Sequence, residues 1–205
     1  MTSKSLIFNT LPRTGMNYIS FICSFSLDRT KYPLKSFEQI HSPAFASVTP
    51  DDAIQFFIKR DPVDSIQSNI YAMYADKTEN EIIDILDKRE GQNITDWILH
   101  LSNAAKNKNL EIICFDDFKK DTVSLLQKIS ERTGLPFIVD EKIVKEAVAH
   151  LDSLYKMNKI GYNYMPINKS NINSIIKDYL VSNDLYGQKD IVYNLYNALQ
   201  PTVVL

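Results

Sequence analysis

The stretch Leu6-Ile7-Phe8-Asn9-Thr10-Leu11-Pro12-Arg13-Thr14-Gly15-Met16-Asn17-Tyr18 decides the fold. Apolar side chains run up to a proline, a cation and a glycine, and helical periodicity starts only after them. That order predicts a strand, a tight loop and a helix start. Such a junction aims unpaired backbone N–H groups and the positive end of a helix dipole at one point, and Gly15 lets the backbone come close to whatever sits there. Arg13 adds a permanent charge with a planar fork of donors, and the side chains of Thr14 and Asn17 add further donors for phosphate or sulfate oxygens. The loop therefore predicts an anion site. It is not an ordinary ATP loop, because the pattern G-x-x-x-x-G-K-[ST] is missing.

Outward from this loop, buried-strand runs alternate with helical patterns. Residues from Gly15 to about Phe25 read as a helix with Met16, Tyr18, Ile19, Ile22 and Cys23 toward the sheet. Phe37 to His41 reads as a short strand and Ala53 to Ile58 as a buried one, joined by a connection too short for a full crossover helix. Asp61-Pro62 suits the cap and first position of a helix whose apolar face is Val63, Ile66, Ile70 and Met73. Thr78 to about Lys108 is helical with a break near Gly91, its apolar positions including Ile82, Ile83, Ile85, Leu86 and Trp97. Leu110 to Phe115 reads as the last strand, followed by helices over Thr122–Thr133 and about Glu141–Lys156, a loop near Gly161 to Pro166 and two short helices. The alternation predicts an α/β fold with a central parallel sheet covered on both faces, and 205 residues suit one domain spanning 1–205.

Composition narrows the function classes. A net charge of −2 argues against a nucleic-acid partner held by bulk electrostatics, so local basic spots must hold any anion. The two cysteines, Cys23 and Cys114, lie inside apolar runs without metal spacing, which predicts buried thiols and suits a reducing cytoplasm. No N-terminal apolar run is long enough for a signal peptide or membrane span, since Lys4, Asn9 and Arg13 interrupt it.

A second junction, Ile58-Lys59-Arg60-Asp61-Pro62-Val63-Asp64-Ser65-Ile66-Gln67-Ser68, also runs from strand end into helix. Arg60 at the carboxyl edge of a strand can clamp a phosphate bidentately, and Ser68, two turns into the helix, can add a neutral donor. Taken alone, Arg60 could instead pair with Asp61 or Asp64, and Ser68 could face water. Between the two junctions lies Ile40-His41-Ser42-Pro43, and histidine is a residue type suited to accepting a proton. Neither His100 nor His150 has a comparable setting in the sequence.

On these residues the chain resembles the sulfotransferase family, specifically a compact bacterial or phage-type member. Pro12 to Tyr18 is similar to that family's 5'-phosphosulfate loop, departing at Met16 where the family has a hydroxyl residue. Arg60 and Ser68 keep the spacing of its 3'-phosphate motif, and His41-Ser42-Pro43 resembles the segment that carries its general base. Phe115-Asp116-Asp117-Phe118-Lys119 is similar to the segment near the adenine, with Phe115 and Tyr18 in aromatic places. Lys156 and Lys159 stand where the family has a late basic loop over the 3'-phosphate, although its Arg-Lys-Gly core is absent.

The resemblance implies a P-loop-like nucleotide-binding fold and a reaction that moves a sulfuryl group from 3'-phosphoadenosine 5'-phosphosulfate (PAPS) to a hydroxyl or amine, leaving 3',5'-adenosine bisphosphate (PAP). Pro12, Arg13, Thr14, Gly15, Met16, Asn17 and Tyr18 would hold the donor together with Arg60, Ser68 and Phe115. His41 would act as base and Arg13 would stabilise charge on the transferring group. No metal is expected, and the acceptor would be a small molecule, carbohydrate or lipid. Two rivals predict other outcomes: a Mg²⁺-dependent nucleotide phosphotransferase using Asp116 or Asp117 as metal ligand, and a non-catalytic nucleotide-binding relative. The sequence does not specify an oligomeric state.

Overall fold

The computed structural model describes residues 4–74, 76–89, 94–156 and 171–205, with residues 155 and 156 in backbone alone. Four strands, β1 (Ser5–Asn9), β2 (Phe37–Ile40), β3 (Ala53–Lys59) and β4 (Glu111–Cys114), form one parallel sheet in the order β2-β1-β3-β4. Helix α1 (Met16–Ser26) follows β1, and the four-residue α2 (Pro43–Ala46) lies between β2 and β3. Three helices, α3 (Pro62–Tyr74), α4 (Glu79–Asp87) and α5 (Ile94–Lys106), separate β3 from β4. After β4 come α6 (Phe115–Lys120), α7 (Thr122–Thr133), α8 (Glu141–Lys156), α9 (Asn171–Ser182), α10 (Asp184–Gly187) and α11 (Lys189–Ala198).

Alternation along the strands feeds two apolar cores, one on each face of the sheet. Leu6, Phe8, Phe56, Ile58 and Ile113 point into a core filled from α1 by Ile19, Ile22 and Cys23, from α7 by Leu125, Leu126 and Ile129, and from α8 by Val144 and Ala147. Phe57 and Ile112 point to the other side, against Ile66 and Ile70 of α3, Leu86 of α4, Trp97 and Leu101 of α5, Ile176 of α9 and Val192 of α11. The pairing of Phe8 with Phe56 in β1 and β3 brings their rings to 4.9 Å in a stacked arrangement, a cross-strand contact at the centre of the sheet. The outer edge of β4 is covered by the C-terminal segment, where Thr202 N donates to Ile112 O at 3.0 Å and Val203 bridges Ile113.

The helix signals hold where capping chemistry is present. Thr78 and Glu81 form a capping box at α4, Asp121 accepts from Ser124 N at α7, and Gly134 closes α7 in the left-handed conformation. Asp61 Oδ1 accepts from Asp64 N at 3.1 Å at the start of α3.

Four local expectations differ from the structure. Phe115 does not end β4 but opens α6, whose acidic first turn (Asp116, Asp117) and basic last turn (Lys119, Lys120) match the helix dipole. Met73, in the last turn of α3, and Ile83, off the α4 face that carries the buried Ile82, Ile85 and Leu86, are exposed. The segment after α9 is not a continuous right-handed helix: Asp184, Leu185, Tyr186 and Gly187 all have positive φ, making one left-handed turn before α11. Of the two thiols only Cys23 is buried; Cys114, at the exposed end of β4, is partly accessible.

Candidate functional site

In the strand order β2-β1-β3-β4 the chain leaves β1 for one neighbour and later returns to the other, so the sheet reverses between β1 and β3. Open parallel sheets bind ligands in the crevice at the carboxyl ends of strands at such a point. Both cationic junctions arise there. Thr10, just past β1, donates its hydroxyl to Ile58 O at 2.8 Å and so ties the first loop to the end of β3. Thr14 donates to Leu11 O at 2.9 Å and lies 3.1 Å from the Thr10 hydroxyl. Its side chain is thus turned inward, 1 % exposed, and shapes the loop rather than facing the crevice.

The two arginines meet across the gap. Arg60 Nη1 donates to the carbonyl of Arg13 at 2.8 Å, and Arg13 Nε donates to Ser68 Oγ at 3.1 Å. Ser68 therefore faces the loop and is buried, not turned to water. Arg13 has φ 61, the left-handed region that a residue with a β-carbon enters at a cost, and the Arg60 hydrogen bond holds its carbonyl there. Burial first, and the charge of Arg60 second, pull the Arg13 guanidinium below its ordinary value. Among the described residues Arg60 makes no salt bridge, while the carboxylates beside it go elsewhere: Asp61 accepts from Tyr193 Oη at 2.9 Å and Asp64 from Lys177 Nζ at 2.9 Å. Two half-buried cations held together in this way favour a multiply charged anion between or beside them.

Gly15 stands at the N-cap of α1 with φ 90, and a β-carbon there would lie 2.1 Å from Cε2 of Phe115. Glycine is needed for the turn and for the ring at once. Arg60 covers the same ring, its guanidinium carbon 5.1 Å from the centroid, and Tyr18 meets it edge-on at 6.4 Å. Phe115 and Tyr18 are thus an aromatic wall next to the cations. Met16 buries its side chain in the core, and Pro12 and Asn17 are half-buried on the loop. Like the other residues of the first turn of α1, Met16 and Asn17 have N–H groups without an intrahelical acceptor.

His41 is exposed just past β2, its Nδ1 2.5 Å from the carbonyl oxygen of Thr10. The next residue, Ser42, is gripped by the buried Asn9: Asn9 Nδ2 donates to Ser42 O at 3.0 Å and Ser42 N donates to Asn9 Oδ1 at 3.1 Å. The histidine is therefore hung from the same end of β1 that launches the Arg13 loop. Sequence reading missed two polar residues near His41. Asn9 looks there like the polar end of an apolar run, and nothing local shows its partner on another strand. His100, on α5, sits edge-on to Phe57 at 5.7 Å, is 2 % exposed, and has an Nε2 with no hydrogen-bond partner among the described residues. Burial, followed by the charge of nearby His41, lowers its pKa to about 4. Only the helical register of α5 could have hinted that His100 faces inward with Trp97 and Leu101.

On the far side of β3 from Arg60, Lys59 lies beneath α11 with its Nζ 4.1 Å from the centroid of Tyr196. Burial chiefly lowers the Lys59 pKa and raises that of Tyr196 to about 12. Lys156 ends α8, with its side chain not described, and Lys159 lies outside the described residues. No group of His, Cys, Asp or Glu among the described residues could hold a metal ion, and no described helix is long and apolar enough to cross a membrane. The geometry can hold an anion bearing several charges against an aromatic wall, with a histidine placed to accept a proton nearby. No family model matches the chain, and no curated protein matches it in sequence.

Proposed function

We propose that this chain is a sulfotransferase that takes a sulfuryl group from 3'-phosphoadenosine 5'-phosphosulfate and passes it to a hydroxyl or amine acceptor. The observation that carries the reading is the meeting of Arg13, Arg60 and Ser68 at the β1–β3 switch point, with His41 tied to the same loop through Thr10. In this reading the backbone N–H groups from Thr14 to Asn17 and the Arg13 guanidinium hold the 5' end of the donor. Arg60 and Ser68 hold the 3'-phosphate, and Phe115 and Tyr18 face the adenine. Lys156 and Lys159 are further candidates for that phosphate.

The bound donor supplies an activated sulfuryl group whose bridging oxygen leaves with the bisphosphate. His41 takes the proton of the acceptor as its oxygen or nitrogen approaches sulfur, and Arg13 stabilises charge on the transferring group and on the leaving oxygen. Holding both partners in line removes much of the entropic barrier. An acceptor drawn from small molecules, carbohydrates or lipids fits this chemistry.

Calorimetry with 3',5'-adenosine bisphosphate against ATP with Mg²⁺ tests the ligand. The bisphosphate is expected to bind and ATP–Mg²⁺ to bind weakly; preference for ATP–Mg²⁺ overturns the reading in favour of a phosphotransferase. A sulfate-transfer screen over hydroxyl and amine acceptors tests turnover. His41→Ala is expected to lower kcat by roughly 10²–10⁴-fold, the range for losing a general base. Bisphosphate binding without transfer to any acceptor would mark a binding protein instead.

A further inference from the structure

The side chain of Asn9 ends β1 fully buried, and both of its polar atoms close on one residue that lies 33 positions away. Its Nδ2 donates to Ser42 O and its Oδ1 accepts from Ser42 N, so a single carboxamide satisfies both backbone groups of the residue after His41. The next residue of the same strand end completes the grip: Thr10 N donates to Ile40 O at 3.3 Å, and Thr10 O receives His41 Nδ1 at 2.5 Å. Three successive residues, Ile40, His41 and Ser42, are thereby held by two, Asn9 and Thr10.

This pattern decides where the proton of the imidazole sits. A carbonyl oxygen only accepts, so Nδ1 must be the donor in the bond to Thr10. In the neutral ring the lone pair is then on Nε2. We propose that Asn9 is a positioning residue that fixes the tautomer and aim of His41, leaving Nε2 as the proton-accepting atom of the site. The inference uses the functional reading only for the identity of the proton to be taken; the clamp and the tautomer rest on geometry alone. A side chain that merely closed the turn between β2 and α2 would affect stability without affecting which ring nitrogen carries hydrogen.

The two roles separate by NMR on the full chain labelled with [15N]histidine. There are three histidines, and His41 is assigned by loss of its signals in His41→Gln. At a pH where the ring is neutral, two-bond proton–nitrogen correlations are expected to show His41 protonated on Nδ1 with a bare Nε2. Asn9→Ala removes the clamp, and Asn9→Asp keeps the acceptor for Ser42 N while losing the donor to Ser42 O. Both are expected to move His41 toward the Nε2–H form that unconstrained histidine favours.

Asn107→Ala serves as the control. Asn107 Nδ2 donates to Ala46 O at 3.1 Å and so tethers the other end of α2, away from His41. It is expected to lower Tm while leaving the His41 pattern as in wild type. Wild-type His41 protonated on Nε2 overturns the proposal without any variant. Retention of the wild-type tautomer in folded Asn9 variants overturns it as well.

In the sulfate-transfer assay the Asn9 variants are expected to lose up to about a hundredfold in kcat, the scale of a misplaced catalytic group, with little change in KM for the donor. Absence of transfer in wild type with the tautomer pattern intact would remove the functional reading and leave the clamp standing.

Discussion

Arg13 occupies a backbone conformation that costs a residue with a β-carbon about 1–2 kcal/mol, and the hydrogen bond from Arg60 to its carbonyl offsets part of that cost. Arg60 also places its guanidinium carbon over the Phe115 ring, 5.1 Å from the centroid, a combination that the point charge of lysine does not reproduce. Arg60→Lys is therefore expected to weaken binding of 3',5'-adenosine bisphosphate at least about tenfold, some 1.4 kcal/mol, by calorimetry. Binding unchanged in that variant would show that charge alone suffices. At Gly15, alanine meets both a positive φ and the Phe115 ring, so Gly15→Ala is expected to destabilise by about 2 kcal/mol or more. Adding Phe115→Ala should recover only the steric part in urea denaturation, because the backbone strain remains.

His100 links burial to pH. Its folded pKa of about 4 lies below the ordinary 6.5, so the unfolded chain takes up the proton first as the solution is acidified. Stability from this group is fully present above the unfolded value and is lost as pH falls toward the folded one. Between about pH 7.5 and about pH 5 the loss is roughly 2 kcal/mol at 1.36 kcal/mol per pH unit below 6.5. His100→Leu is expected to reduce the difference in unfolding free energy between those two conditions by that order, measured by urea titration. An identical acid dependence in the variant would place the sensitivity in other groups.

Among the elements, the junction from β1 through the Arg13 loop into α1 was readable because each part has a local cause: an apolar run, a proline–glycine loop and then helical periodicity. Helix α7 matched its expected bounds for the same reason, with Asp121 at one end and Gly134 at the other. Phe115 was misplaced into β4 because an apolar residue after an apolar run fits a strand as well as a helix start, and only the charges after it favour the helix. The left-handed turn of α10 had no local signal, since only Gly187 in it is a residue that adopts positive φ freely. Buried Leu185 and the bond from Tyr186 Oη to Leu86 O at 3.1 Å hold the turn against its strain. Asp184 is exposed and has φ 53, so Asp184→Gly relieves about 1–2 kcal/mol of strain and adds about 0.5–1 kcal/mol of unfolded-chain entropy. A small net rise in Tm is the expected result by calorimetric scan; a fall would mean that the Lys189–Asp184 ion pair outweighs the backbone.

For the whole molecule, the sheet is the common wall of both cores. β3 sends Phe56 and Ile58 to one side and Phe57 to the other, so neither core can lose its packing without exposing the strand that serves both. One cooperative transition is expected for the chain. Trp97, the single tryptophan, reports the core that faces α5, while far-UV circular dichroism reports all helices. Their midpoints in urea are expected to coincide, and separated midpoints would divide the chain into two folding units.

The sequence by itself determined the alternation of strands and helices, the strand–loop–helix junction at the end of β1, and the Arg60–Ser68 spacing, because these depend on periodicity and turn chemistry within a few residues. Tertiary structure alone decided that Ser68 turns to Arg13, that Arg60 is spared by its neighbouring carboxylates, that Thr14 turns its hydroxyl inward, that Asn9 grips the residue after His41, and that His100 packs against Phe57. Each of those outcomes is set by which strands pair and which helices cover them. A polar side chain chooses the partner that burial leaves within reach, and that partner lies up to dozens of residues away.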